Sequence, residues 1–157
     1  MKREQKSLTN KGFSLVELII VVAIMAVLIG VLAPQYLRYV EKTRLQRDNT
    51  SMSDFANVAK IACTEEGVNT AIPTGGAKFQ FDATTGVLQL SGESALDNEI
   101  KKTVDIADVK LTSNTYKNTD PTITVQVDSN GIVSVECDKW INAPGGTPLT
   151  GSNAKRF

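Results

Sequence analysis

The 157-residue chain contains no histidine. That removes the commonest general base and the commonest metal ligand, and with them hydrolytic triads in their usual form. Its two cysteines are 74 residues apart and make no close ligand pair. No G-x-x-x-x-G-K or G-x-G-x-x-G stretch is present to cradle a nucleotide, and no D-x-D-x-N-G run to hold calcium. Nothing in the sequence carries catalysis, so the chain is read as a non-enzyme without cofactor or metal. A surplus of positive charge is missing too. Lys and Arg number 17 against 17 Asp and Glu, and removal of residues 1–12 leaves 13 against 16, near −3. Such a body is not built to coat nucleic acid.

What the chain has is one long apolar run. Phe13 to Ala33 is 21 residues with a single charge, Glu17. As a helix rising ~1.5 Å per residue it is ~31 Å long, enough to cross a ~30 Å hydrocarbon core. A secretory signal would have a shorter apolar core and a small-residue cleavage site, whereas Pro34-Gln35-Tyr36 follows here. Upstream, MKREQKSLTNKG carries Lys2, Arg3, Lys6 and Lys11 against Glu4, a bias that holds the leader on the cytoplasmic side.

Glu17 does not fit a plain anchor. A carboxylate inside an apolar span costs roughly 2.5 to 3.5 kcal/mol on insertion scales, less near its edge. A cut between Gly12 and Phe13 would create an α-amino group one helical turn before Glu17, able to neutralise it within one chain or between two. The alternative is a carboxylate tolerated at the edge of the span, protonated or reaching the interface.

Lys11-Gly12-Phe13-Ser14-Leu15-Val16-Glu17, followed by an apolar run and Pro34, resembles the class III signal of type IV pilins and pseudopilins. In that family a membrane-embedded prepilin peptidase cuts after the glycine and N-methylates the new first residue. The resemblance covers about 24 residues. It implies cleavage between Gly12 and Phe13, methylation of Phe13, and assembly roles for Glu17 and Pro34. It also implies an α+β fold, a long N-terminal helix whose first half spans the membrane and whose second half packs on a C-terminal antiparallel sheet. The implied division is a leader over 1–12, a transmembrane and assembly helix over 13–35 and an extracellular head over 36–157. Implied partners are prepilin peptidase, further copies of the chain in a helical filament, and the assembly platform and motor proteins. The chain would begin as a single-pass protein of the cytoplasmic membrane and end in a surface filament of the kind that serves adhesion and motility. A pseudopilin of a type II secretion or DNA-uptake machine is the sister reading, and a singly anchored extracellular binding domain is a reading of another class. The absence of a calcium loop leans towards a pilin.

The helix is expected to continue to about Cys63. Within Tyr36–Thr64, Glu41 precedes Arg44 at i+3, and Met52, Ala56, Ala59 and Cys63, flanked by Phe55 and Ala62, form a stripe of helical period. Pro34 sits inside this length, either as a deformable point or as an ordinary proline of a spanning helix, with Gly30 softening the same turn. A C-cap is expected at Glu66-Gly67. Lys78–Asp82 and Val87–Leu90 read as a hairpin, and Leu96, Ile100 and Val104 mark a short helix within 93–105. Thr122–Val127 and Ile132–Asp138 read as strands joined by the turn Asp128-Ser129-Asn130-Gly131. One face carries Ile123, Val125 and Val127, the other strand Val133, Val135 and Cys137. The tail from Ala143, rich in Pro, Gly, Ser and Thr, is expected to run over the surface or to be partly disordered. Cys63 and Cys137 both point into the head core by periodicity. They are read as a disulfide pair, or as two free cysteines acting as small core hydrophobes.

Overall fold

The computed structural model describes residues 12–157 apart from 66, 118, 129 and 131. The chain divides into two compact units between Arg38 and Tyr39. One helix, α1 (Leu15–Ala62), runs through that boundary.

In the first unit, Ser14 precedes the helix and Glu17 sits on its first turn, where Glu17 Oε2 accepts a hydrogen bond of 3.0 Å from the Ser14 backbone N–H. Ser14-Leu15-Val16-Glu17 is thus a capping-box sequence whose glutamate reaches back to the N-cap amide, satisfying a donor that the helix itself cannot. Pro34 lies inside α1. Its nitrogen has no proton to offer the Gly30 carbonyl one turn earlier, so the helix loses a rung there. An 18-residue stretch of this helix has mean hydropathy 3.1 and none of it is buried.

The second unit is the head. From Tyr39 onward α1 turns amphipathic and buries Leu45, Asp48, Met52, Phe55, Ala56, Ala59 and Ala62. The helix ends at Ala62, before the expected Glu66-Gly67 cap, because Thr64 and Glu65 donate to carbonyls only three residues back. Gly67 does take a positive φ of 89°, while Glu66 lies outside the described residues.

Five antiparallel strands follow: β1 (Ala77–Phe81), β2 (Leu88–Gln89), β3 (Thr122–Val127), β4 (Val133–Asp138) and β5 (Lys155–Arg156), in the order β2-β1-β3-β4-β5. The expected hairpin pairs Phe81 with Leu88. The register of β3 on β4 sets Ile123 opposite Cys137, Val125 opposite Val135 and Val127 opposite Val133, so the two predicted apolar faces are one surface. In the turn between them the Asp128 carboxylate accepts from the Asn130 and Ile132 N–H groups; Ser129 and Gly131 of the expected turn lie outside the described residues.

The helix stripe and this sheet face share one core. Phe55 meets Phe79 edge to face with ring centroids 5.1 Å apart. Around them Phe81, Met52, Ile123, Val125, Val135 and both cysteines are buried, each large side chain contributing about 1.5 to 3 kcal/mol by leaving water. A second helix, α2 (Ser94–Thr103), adds Leu96 and Ile100 to the same cluster. Its Asp97 carboxylate accepts from the backbone N–H groups of Ser91 and Gly92 and from the Ser91 hydroxyl, tying down the preceding loop.

The tail runs over the surface as expected, with none of residues 143–157 buried, and its end is ordered as a strand. Arg156 and Lys155 pair with Glu136 and Cys137 as the edge strand β5. Phe157 stacks edge to face on Trp140 at 5.4 Å, and its N–H donates to the Val135 carbonyl. Two large aromatic rings at the ends of this Gly- and Pro-rich segment add to the bridge between Trp140 and Leu149 in its middle.

Candidate processing and assembly site

The residues expected to carry processing and assembly lie on the first unit, at its start and along its helix. Gly12 is exposed, and a Cβ built on it meets nothing within 4 Å. The backbone at the bond to Phe13 is therefore open on that side. Phe13 is 92% exposed and precedes the first helical residue, so the Gly12–Phe13 bond lies outside the helix. In the uncut chain the Phe13 nitrogen is an amide, and the Glu17 carboxylate is held by the Ser14 amide. Cleavage would leave that carboxylate with one oxygen engaged and a new ammonium a turn away. The capping box was present in the letters S-L-V-E and was not among the sequence expectations.

Along the helix every large apolar side chain from Leu15 to Leu37 is exposed, including Ile19, Val22, Ile29 and Leu32. A contiguous apolar surface of this extent on a folded protein needs a cover, either lipid or other protein. Helix geometry satisfies the backbone internally except at Pro34, which suits either solvent.

On the head, three polar side chains of α1 grip one loop. Asp48 is fully buried, and its carboxylate accepts from Thr112 N–H at 2.9 Å, Ser113 N–H at 2.7 Å and the Thr112 hydroxyl at 3.1 Å. Glu41 accepts from the Thr115 N–H and hydroxyl, both at 2.7 Å. Partial burial pushes the Glu41 carboxyl up, but the Thr115 hydroxyl and amide, the Asn114 amide and the nearby Arg44 charge outweigh it and hold it below the usual range. The expected Glu41–Arg44 pair is therefore secondary to Thr115. Asn49 donates to the Ile141 carbonyl at 3.0 Å and accepts from the Tyr116 hydroxyl at 2.5 Å, and that hydroxyl in turn accepts from the Ile141 N–H.

Cys63 and Cys137 are both fully buried in the head core, and the structure holds them as free thiols. Burial pushes the Cys63 thiol up to about 11 and the Cys137 thiol up to about 12, the latter helped by the Asp138 charge. Among the described residues no group of three or more His, Cys, Asp or Glu could hold a metal ion.

Residues 8–33 match the family described as the prokaryotic N-terminal methylation motif. Two curated relatives from Pseudomonas aeruginosa, each called fimbrial protein, are 32% identical to the chain over 103 and 101 residues. Those alignments cover 64% and 63% of this chain and 62% and 60% of the relatives, so the match spans about three fifths of their length. No solved structure matches the chain.

Proposed function

We propose that this chain, whose methylation motif, α+β fold and fimbrial relatives support the type IV pilin family, is a structural subunit of a type IV pilus. The observation that carries the reading is the joining of an exposed Gly12-Phe13 bond to a helix whose stretch up to Ala33 is apolar apart from Glu17 and wholly uncovered. A bilayer covers that stretch in the precursor. Neighbouring copies of the same helix cover it after assembly, with the heads facing water.

Each motif residue then has a physical task. Gly12 admits the peptidase to the backbone. Phe13 becomes the methylated first residue. Glu17 carries the only charge of the apolar stretch, so in a bundle of such helices it specifies register by demanding an amine, which apolar packing alone does not do. Pro34 gives the helix a weakened rung at which it can bend to pack. Partners are the prepilin peptidase, other copies of the chain, and the platform and motor that add and remove subunits.

Mass spectrometry of the mature protein is the test. The expected chain begins at Phe13 with one added methyl group and dominates sheared surface filaments. A mature start elsewhere overturns the reading. A Phe13 start in a protein scarce among sheared filaments points instead to a pseudopilin.

A further inference from the structure

Of the asparagines in the chain, Asn130 alone is followed by glycine; the others precede Lys, Thr, Val, Glu or Ala. At Asn130 the next backbone nitrogen can approach the side-chain amide carbon with no Cβ beside it. Asparagine is among the chemically labile side chains, and its lability depends on that approach.

The fold leaves this position open. Asn130 is exposed, and its side-chain amide enters no hydrogen bond among the described residues, where its backbone N–H donates to Asp128. The β3–β4 ladder ends with Val127 opposite Val133, and one further bond runs from the Asp128 N–H to the Ile132 carbonyl. Asn130 therefore lies beyond the last rung. The Asp128 carboxylate accepts from the Asn130 and Ile132 N–H groups and ties the turn to the strand ends, while the asparagine side chain stays in water. Asn49 shows the opposite arrangement. Its amide donates to the Ile141 carbonyl and accepts from the Tyr116 hydroxyl, and a β-branched threonine follows it.

We infer that Asn130 is a site of spontaneous modification, at which the head exchanges a neutral amide for a carboxylate. The Gly131 backbone nitrogen bonds to Asn130 Cγ, the Cγ–Nδ2 bond breaks, and ammonia leaves with the proton that the Gly131 nitrogen gives up. Water then opens the cyclic imide on either side. Breaking the new bond from nitrogen to Cγ gives aspartate; breaking the bond from nitrogen to the Asn130 backbone carbonyl carbon leaves the chain running through Cγ as isoaspartate. The second product lengthens the backbone by one atom. Inside β3 or β4 that would disturb the register that buries Ile123 and Val135, but beyond the ladder it displaces no strand pair. Either product adds a negative charge two residues from Asp128, so the hairpin tip becomes more acidic as the protein ages. The reaction belongs to the head alone and does not depend on whether the chain polymerises.

The test incubates the full chain, folded in a nonionic detergent, at pH 6 and at pH 9, and follows it by isoelectric focusing and by mass spectrometry of the tryptic peptide 118–139. The expected result is a new acidic band and the amide-to-acid mass increment, located at residue 130 by fragmentation. It should accumulate faster at pH 9, because the attacking nitrogen must lose its proton. Asn118, in the same peptide and followed by Thr119, should keep its amide. Gly131→Ala should slow the reaction by setting a methyl group beside the attacking nitrogen. Asn130→Gln should abolish it, since the longer side chain would have to close a larger ring, and this variant alters only an exposed side chain, so a folding failure cannot imitate the loss. A protein isoaspartyl methyltransferase should methylate the aged parent and not aged Asn130→Gln. No increment at residue 130 in the folded chain overturns the inference, and its appearance in denaturant alone would show that the turn protects the asparagine. An acidic band that Asn130→Gln leaves unchanged overturns it as well, because the reaction then lies elsewhere.

Discussion

The two halves of α1 treat their side chains in opposite ways. Up to Leu37 its isoleucines, leucines and valines are exposed, whereas from Tyr39 onward it buries an aspartate completely. Composition alone predicts the reverse. The first half has no folded partner within its own unit, and its apolar surface is an interface awaiting a bilayer or another helix. The second half can bury Asp48 because the loop at Thr112 and Ser113 supplies donors to both carboxylate oxygens. One helix thus serves two solvents, and the side chains that look most and least soluble exchange places along it.

The largest effect should come at the start of the first half. Gly12→Val puts a branched side chain beside the bond to be cut and should leave an uncut, membrane-retained precursor, seen by mass as retention of residues 1–12 and by the absence of filaments. Glu17→Ala comes next. The subunit should still insert and be processed but fail to assemble, because the apolar bundle loses its charged register mark. A normal filament yield from that variant would mean that Glu17 serves only as the reach-back group that accepts from Ser14.

The head should break by folding instead. Asp48→Ala strips acceptors from the N–H groups of Thr112 and Ser113, and orphaned buried donors cost about 1 to 3 kcal/mol each. A loss of about 3 to 5 kcal/mol is expected, large against a marginal total of about 5 to 15. Asp48→Asn should not rescue it, since an amide nitrogen would face an N–H. Phe79→Ala, which opens a cavity against Phe55, should cost about 3 to 5 kcal/mol by denaturant unfolding. The contrast sharpens with Ile19→Ser on the first half, which should leave head unfolding unchanged. An equal effect there would show that the apolar half has a folded partner after all.

Why the sequence revealed some of this and not the rest follows from the kind of signal each part carries. The stripe Met52, Phe55, Ala56, Ala59, Ala62 and Cys63 is apolar at helical spacing, and all six are buried. The faces of β3 and β4 alternate over six residues each and pair as their patterns demand. Asp48 and Glu41 escaped because an acid on a stripe reads as the stripe's end. Yet positions 41, 45, 48, 52, 55, 59 and 62 step by four and three without a break, so the period continued where the chemistry changed. The edge strand β5 has two residues, too short to alternate, and is held by Phe157 on Trp140, a contact between residues 17 apart that no local pattern encodes.

The cysteines test the head core more gently. With both thiols free and their thiolates disfavoured by burial, an alkylating reagent at neutral pH should label neither in the folded chain and two per chain after denaturation without reductant. A count of zero after denaturation would establish the Cys63–Cys137 bridge. That bridge would close a loop of 74 residues and add roughly 4 kcal/mol.

The smallest expected effect belongs to Glu41, the acid that grips the loop from the rim of the core. Its folded-state carboxyl is held below the ordinary value of 4.5, so proton uptake is favoured in the unfolded chain. The stability it contributes is fully present above that ordinary value and is lost as pH falls through the lower, folded one. Because the side chain is largely solvated, water and salt screen the gain to less than about 1 kcal/mol. Glu41→Gln keeps an oxygen for the Thr115 N–H and hydroxyl but removes the charge. It should therefore lower stability slightly at pH 7, match the parent in strong acid, and flatten the pH dependence of unfolding between those limits. A variant whose unfolding curve keeps the parent's slope through this range would show that the grip on Thr115 is neutral in character, and that Asp48 alone supplies the charged anchor of the loop.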